Sequence, residues 1–115
     1  MSIRRIVPDF CTSDPAGAAE FYTAVLGMEV VMDQGWIVTV AQPGNPAAQI
    51  SLISEDAGAP VIPDVSIEVD DVDAAHAAAL AEGCEIVHPL TDEVWGVRRF
   101  FVREPGGRVL NILAH

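Results

Sequence analysis

One order of apolar runs, caps and breakers occurs twice in this 115-residue sequence, and few folds accommodate such a repeat. Ile3 to Cys11 is rich in β-branched and apolar residues and reads as a strand. Ser13-Asp14-Pro15 follows, a capping side chain ahead of a proline at a first helical position. Ala16, Ala19, Phe21, Tyr22, Val25 and Leu26 then predict a helix over Pro15 to Leu26, stopped at Gly27. Three strand-like runs come next, Met28 to Met32, Trp36 to Ala41 and Gln49 to Ser54. Asp33-Gln34-Gly35 and Gln42-Pro43-Gly44-Asn45-Pro46 are the turns between them.

Glu55 to Ile62 contains Gly58 and Pro60, breaks every periodicity, and reads as a linker. After it the order returns. Pro63 to Val69 reads as a strand, Asp71 as a cap, Val72 to Glu82 as a helix, Gly83 as its stop and Glu85 to Leu90 as a strand. Val97 to Arg103 and Val109 to Ala114 close the chain, joined through Glu104-Pro105-Gly106-Gly107-Arg108. Phe10-Cys11-Thr12-Ser13-Asp14 lies over Ile67-Glu68-Val69-Asp70-Asp71, about 57 residues on, and Gly27-Met28-Glu29-Val30 over Gly83-Cys84-Glu85-Ile86. Two copies at that spacing indicate a duplicated half-domain rather than a solenoid. The expected organisation is one domain over 1–115, with module one at about 3–54, a linker at 55–62 and module two at about 63–115.

Charge narrows the partners. The formal net charge is −11, with 17 acidic side chains against six basic ones, so a nucleic acid or an anionic membrane meets a repulsive field. An acidic surface favours a cationic small molecule, or serves solubility alone. All six basic residues are arginine, which excludes a lysine Schiff base and a phosphate-loop ammonium. No apolar run approaches the roughly 20 residues of a membrane span, and the N-terminus lacks a signal-peptide core, so a cytoplasmic protein is expected. Cys11 and Cys84, without metal-type spacing, read as reduced, half-buried small hydrophobes.

Familiar catalytic patterns fail in turn. No serine lies in a G-x-S-x-G elbow. The acidic run Asp70-Asp71-Val72-Asp73 stands where a helix start needs caps and negative charge. Gly106-Gly107 precedes a strand rather than a helix whose N-terminus could hold a phosphate. His76, His88 and His115 read as surface or capping histidines. Trp36 and Trp95 each border a turn, where a flat side chain can line a pocket and stack on a planar ligand; plugging the core is the alternative for both. Phe10 and Phe101 extend that aromatic wall or are simple core.

Three stretches together resemble the vicinal-oxygen-chelate superfamily, which includes glyoxalases, bleomycin-resistance proteins and extradiol dioxygenases. They are Asp14 to Gly27 with Glu20-Phe21-Tyr22, Val69-Asp70-Asp71-Val72-Asp73-Ala74, and Trp95 to Gly107. The resemblance implies an α+β fold of two tandem βαβββ modules whose curled mixed sheets form a partly open barrel or cup, often completed in a homodimer. In enzymatic members it implies four ligands for a divalent metal, usually His, Gln and Glu. Counted from the capping aspartates and from the final strands, those positions fall on Val7, Asp64, Ser51 and Asn111. A transition metal wants several imidazole or anionic donors, which this set lacks; a shift of one residue would bring in Asp9, Gln49 or Glu68.

No cofactor and no metal are therefore expected, and the catalytic residues stay unassigned. Arg98 and Arg99 point to opposite faces of one strand, so one can enter the cup and fix a carboxylate or carbonyl; Arg99 is carried as the candidate. The first expectation is a binding protein similar to the metal-free bleomycin-resistance branch, with a role in antibiotic resistance. It would hold a planar ligand, with a cation favoured, in a homodimer groove lined by Trp36, Trp95, Phe10, Phe101, Ser51, Asp64, Asn111 and Arg99. The alternatives are a metal-dependent glyoxalase, lyase, isomerase or dioxygenase, and metal-free catalysis by a buried Asp64.

Overall fold

A computed structural model describes residues 1–115. Ten elements follow one another: β1 (Ile3–Cys11), α1 (Pro15–Leu26), β2 (Glu29–Asp33), β3 (Ile37–Gln42), β4 (Asn45–Ile53), β5 (Val65–Val69), α2 (Val72–Ala81), β6 (Ile86–Asp92), β7 (Arg98–Arg103) and β8 (Val109–Ala114). This is the α+β class and the doubled βαβββ order that the sequence implies. The strands of the first βαβββ copy are hydrogen-bonded in the order β2-β3-β4-β1 and those of the second in the order β5-β8-β7-β6, with β2 and β6 each at an edge.

Both helices begin on the cap the sequence marks. The Gly17 N–H donates to Asp14 Oδ1 (3.0 Å), and the Ala74 N–H donates to Asp71 Oδ1 (3.0 Å), each satisfying a donor with no partner inside its helix. Gly27 ends α1 with φ 69, a left-handed conformation that costs glycine little, and its N–H returns to the Tyr22 carbonyl. The one boundary that departs by several residues is β4, which begins at Asn45 rather than Gln49. Asn45 pairs directly with Gln42, so only Pro43 and Gly44 make the turn, with Gly44 at φ 77. Proline at the first turn position and glycine at positive φ at the second fit a type II turn, and the register shifts between Ala41 and Gln42 beside it.

The chain divides into two units, Val7–Ile62 and Met1–Ile6 with Pro63–His115. In the first, β1 pairs parallel with β4 (Asp9 with Ser51, Phe10 with Leu52), and β4, β3 and β2 run antiparallel in succession. Val38, Val40 and Leu52 share one face and pack against Ala18, Ala19 and Tyr22 of α1. Each such buried aliphatic side chain contributes about 1.5–3 kcal/mol relative to exposure.

The second unit repeats the plan with β5 parallel to β8 (Ser66 with Asn111) and β8, β7 and β6 antiparallel. Val69, Val72, Phe100, Val102 and Ile112 form its core beneath α2, with Ala75 and Ala79 packed on them. Met1–Ile6 joins this unit because the Asp70 N–H donates to the Ser2 carbonyl (3.0 Å), the Ser2 N–H to Asp70 Oδ1 (2.7 Å), and Arg5 pairs with Glu68 (3.4 Å). Cys11 is exposed, rather than half-buried as its sequence suggested, and Cys84 is half-buried.

The caps lead to a direct test. Asp14→Ala and Asp71→Ala should each lower stability by about 1 kcal/mol in urea denaturation, with little change in the denaturant slope. A loss under a few tenths of a kcal/mol would show that the helices are held by packing alone.

Candidate functional site

Along a strand alternate residues face opposite ways, so in each unit the face away from the helix is fixed by register. In the first unit that face carries Val7 and Asp9 from β1, Ser51 from β4 and Thr39 from β3. Asp9, Ser51 and Thr39 lie side by side in the ladder and are all buried. The Thr39 and Ser51 hydroxyls share a hydrogen bond of 2.8 Å, which satisfies both away from water. Phe10 pairs with Leu52 and therefore lies on the helix-side face, 45% exposed, not beside Ser51. Trp36, half-buried before β3, accepts the Ser54 N–H on its carbonyl at 2.9 Å.

The second unit places more chemistry on the corresponding face. Ser66, Asn111, Phe101 and His88 form a row across β5, β8, β7 and β6. Asn111 Nδ2 donates to Ser66 Oγ (3.0 Å), while Asn111 Oδ1 is buried with no hydrogen-bond partner. A buried acceptor left unpaired costs about 1–3 kcal/mol. Asp64, exposed at the head of β5, accepts the Val109 N–H on Oδ2 (2.8 Å).

Next to this row is a buried ionic cluster. His88 Nε2 lies 2.9 Å from Glu93 Oε1, and Arg99 Nε lies 3.4 Å from the same oxygen, with all three side chains less than 10% exposed. The Arg99 guanidinium stacks over Trp95 (5.1 Å) and over Phe101 (4.8 Å), and the His88 ring lies 5.1 Å from Phe101. Trp95 is the exposed end of this line at 41%, and Phe101 is fully buried.

The choice between the two arginines that the strand pattern leaves open is thereby made. Arg99 goes to the buried face, whereas Arg98, on the other side of β7, straps Asp73 (2.9 Å) to Asp92 (3.0 Å) at the surface. That strap borders a cavity of about 370 Å³ at the head of α2, lined by Asp70, Asp71, Asp73 and Asp92. The Arg98 guanidinium beside Asp73 holds that carboxyl below the ordinary aspartate range.

His88 is a correction to the sequence reading, which made it a surface or capping residue: it is buried. The cause lies in β6, where the register shifts on both sides of His88 and Pro89 follows, turning the imidazole toward Glu93 and the Phe101 ring. His115 instead pairs with Glu68 (3.0 Å), and His76 sits on α2 against the Phe100 ring (5.0 Å).

The positions that the resemblance assigns to metal ligands do not fit a transition metal. Val7 is a buried aliphatic side chain, the Ser51 hydroxyl is bonded to Thr39, Asp64 caps a backbone N–H, and Asn111 offers an amide. No group of three or more His, Cys, Asp or Glu side chains converges anywhere on the chain in a metal-holding arrangement.

Comparison with known proteins adds a family. The sequence model of the Glyoxalase/Bleomycin resistance protein/Dioxygenase superfamily matches residues 3–112. No curated protein matches. Among solved structures, the chain is similar to the NAD-dependent benzaldehyde dehydrogenase from Legionella pneumophila, at 18% identity over 95% of this chain and 97% of that one, with a TM-score of 0.75. It is similar to a glyoxalase/bleomycin resistance protein/dioxygenase superfamily member from Vibrio splendidus 12B01, at 18% identity over 99% and 100%, TM-score 0.69. It is also similar to methylmalonyl-CoA epimerase from Mycobacterium tuberculosis, at 22% identity over 97% and 86%, TM-score 0.67. At these identities the likeness is one of fold.

Two measurements test the electrostatics. Glu93→Ala leaves Arg99 buried without this carboxylate and should cost about 3–5 kcal/mol, whereas a loss near zero would mean the cluster is solvated. The second concerns acid. Because the folded value of Asp73 is lowered, its contribution is complete above the ordinary aspartate range and is lost as pH falls through the folded value. Arg98→Gln should therefore flatten the decline of stability in acid, read from urea midpoints at stepped pH.

Proposed function

Because the chain belongs to the Glyoxalase/Bleomycin resistance protein/Dioxygenase superfamily, we propose that it is a metal-free small-molecule binding protein of the bleomycin-resistance kind. It captures a planar ligand without turning it over, and antibiotic sequestration in the cytoplasm is the role that follows. The observation that carries this reading is the donor set. Val7, Ser51, Asp64 and Asn111 supply one carboxylate among four positions; Ser51 and Asp64 are engaged within the protein, and Asn111 offers only a neutral amide oxygen. A metal-dependent isomerase, lyase or dioxygenase needs imidazole or carboxylate donors there.

The second unit supplies what capture needs. Trp95 offers exposed aromatic area at the end of a line that continues through Arg99 and Phe101 to Asn111, so stacking and polar orientation are contiguous. Trp36, Ser51 and Asp64 remain ligand contacts in this reading. A homodimer completes the groove; exposed Phe21, Val25 and Leu26 on α1 support self-association. The turnover alternative draws on methylmalonyl-CoA epimerase among the structural neighbours, a likeness that extends to fold alone.

Elemental analysis after incubation with manganese, iron, cobalt, nickel and zinc and exhaustive buffer exchange should find far less than one metal per chain. A stoichiometric retained metal would overturn the reading. Trp95→Ala should weaken the binding of a tricyclic aromatic probe by about tenfold while leaving the urea midpoint close to wild type; unchanged affinity removes Trp95 from the site. Sedimentation velocity should show a dimer.

A further inference from the structure

Trp95 sits in the turn between β6 and β7, where the backbone is fixed more firmly than the side chain. The Glu93 N–H donates to the Val97 carbonyl (2.7 Å) and the Gly96 N–H to the Glu93 carbonyl (3.0 Å), with Gly96 at φ 92. These bonds set where the Trp95 Cα lies and leave its two side-chain torsions open. Val94 beside it is 99% exposed and Trp95 itself 41%, so the turn contributes little packing of its own. A stacking surface in that state loses rotamer freedom each time a ligand docks on it.

Arg99 supplies the missing support. Its Cζ lies 5.1 Å from the centre of the Trp95 ring and 4.8 Å from that of Phe101, which is fully buried, so the guanidinium links the exposed indole to the interior. The guanidinium is held in turn. Its Nε lies 3.4 Å from Glu93 Oε1, and the same oxygen lies 2.9 Å from His88 Nε2. A planar guanidinium suits this place better than an ammonium, because it can stack over a ring while its edge stays paired with a carboxylate.

We propose that Arg99 is a positioning residue, stacking on Trp95 to hold the indole in one orientation in the free protein so that a planar ligand meets a prepared surface. With its own side chain only 4% exposed, Arg99 acts on the ligand through that ring. The role rests on the capture reading above and deepens it by naming what readies the stacking surface. Readying one large side chain in advance is worth about two- to tenfold in affinity.

Trp36→Phe leaves Trp95 as the only tryptophan of the full chain, and time-resolved fluorescence anisotropy then reads the motion of its indole. The ring should turn with the whole molecule, and Arg99→Lys in that background should roughly double the amplitude of the fast local component. With Trp36 intact, Arg99→Lys should weaken the binding of phenanthridine about two- to tenfold by isothermal titration calorimetry, and should have no further effect when Trp95→Ala is already present. Where Arg99→Lys does not fold, Arg99→Met combined with Glu93→Gln removes both charges and takes its place. An indole already mobile beside Arg99, an unchanged fast component, an unchanged affinity, or a loss that persists in the Trp95→Ala background overturns the positioning role. Capture by stacking survives each of these if Trp95→Ala alone still weakens phenanthridine binding. Failure of phenanthridine to bind the wild-type chain overturns both.

Discussion

Residues on a strand alternate between two faces, and in each unit one face is committed to a helix. Everything else in this molecule follows from that division. Val38, Val40 and Leu52 go to α1, and Phe100, Val102 and Ile112 go to α2. The intervening positions, Thr39, Ser51, Asp9, Arg99, Phe101 and Asn111, are then forced onto the opposite face, where their register brings them into rows. A slip of one residue in β7 would exchange Phe100 for Phe101 and turn Arg98 inward in place of Arg99. The polar face is thus as tightly specified as the core, through the same hydrogen bonds.

Much of this was legible from residues alone. The caps Asp14 and Asp71, the stop at Gly27 and the glycine turns bound every element except β4 to within a residue or two, because these signals act locally. Three things were not legible. Alternation separates Arg98 from Arg99 but does not say which face is buried; only packing against α2 decides it. Phe10 was grouped with Ser51 by its aromatic character, while its parity with Leu52 sends it to the other side of the sheet. The His88–Glu93 contact depends on the irregularity of β6 at Pro89, where a simple period-two count loses the register. Proline after His88 and two acids shortly beyond were the available signals, and neither identifies a buried pair without the third partner, Arg99.

The two units keep one plan and have diverged in what the plan displays. The first offers a short hydroxyl pair and Asp9 on its polar face; the second concentrates an arginine, a glutamate, a histidine, an asparagine and two aromatic rings. A duplicated scaffold permits this, since the helix-side face of each copy maintains the fold while the other face varies. Val7, Ser51 and Asn111, the positions that the resemblance assigns to metal ligands, lie on that face, away from the helix-side cores.

The edges of the sheet carry a further consequence. β2 spans only five residues between Glu29 and Asp33 and shifts register at Val30, and β6 is broken in register around His88 with Pro89 inside it. Short, charged or interrupted edges are poor templates for a new strand, because an incoming backbone cannot keep its hydrogen bonds in step. Runaway ladder growth into fibrils is thereby discouraged at both ends. Association between copies is left to side-chain surfaces, whose contacts can close on themselves in a finite assembly.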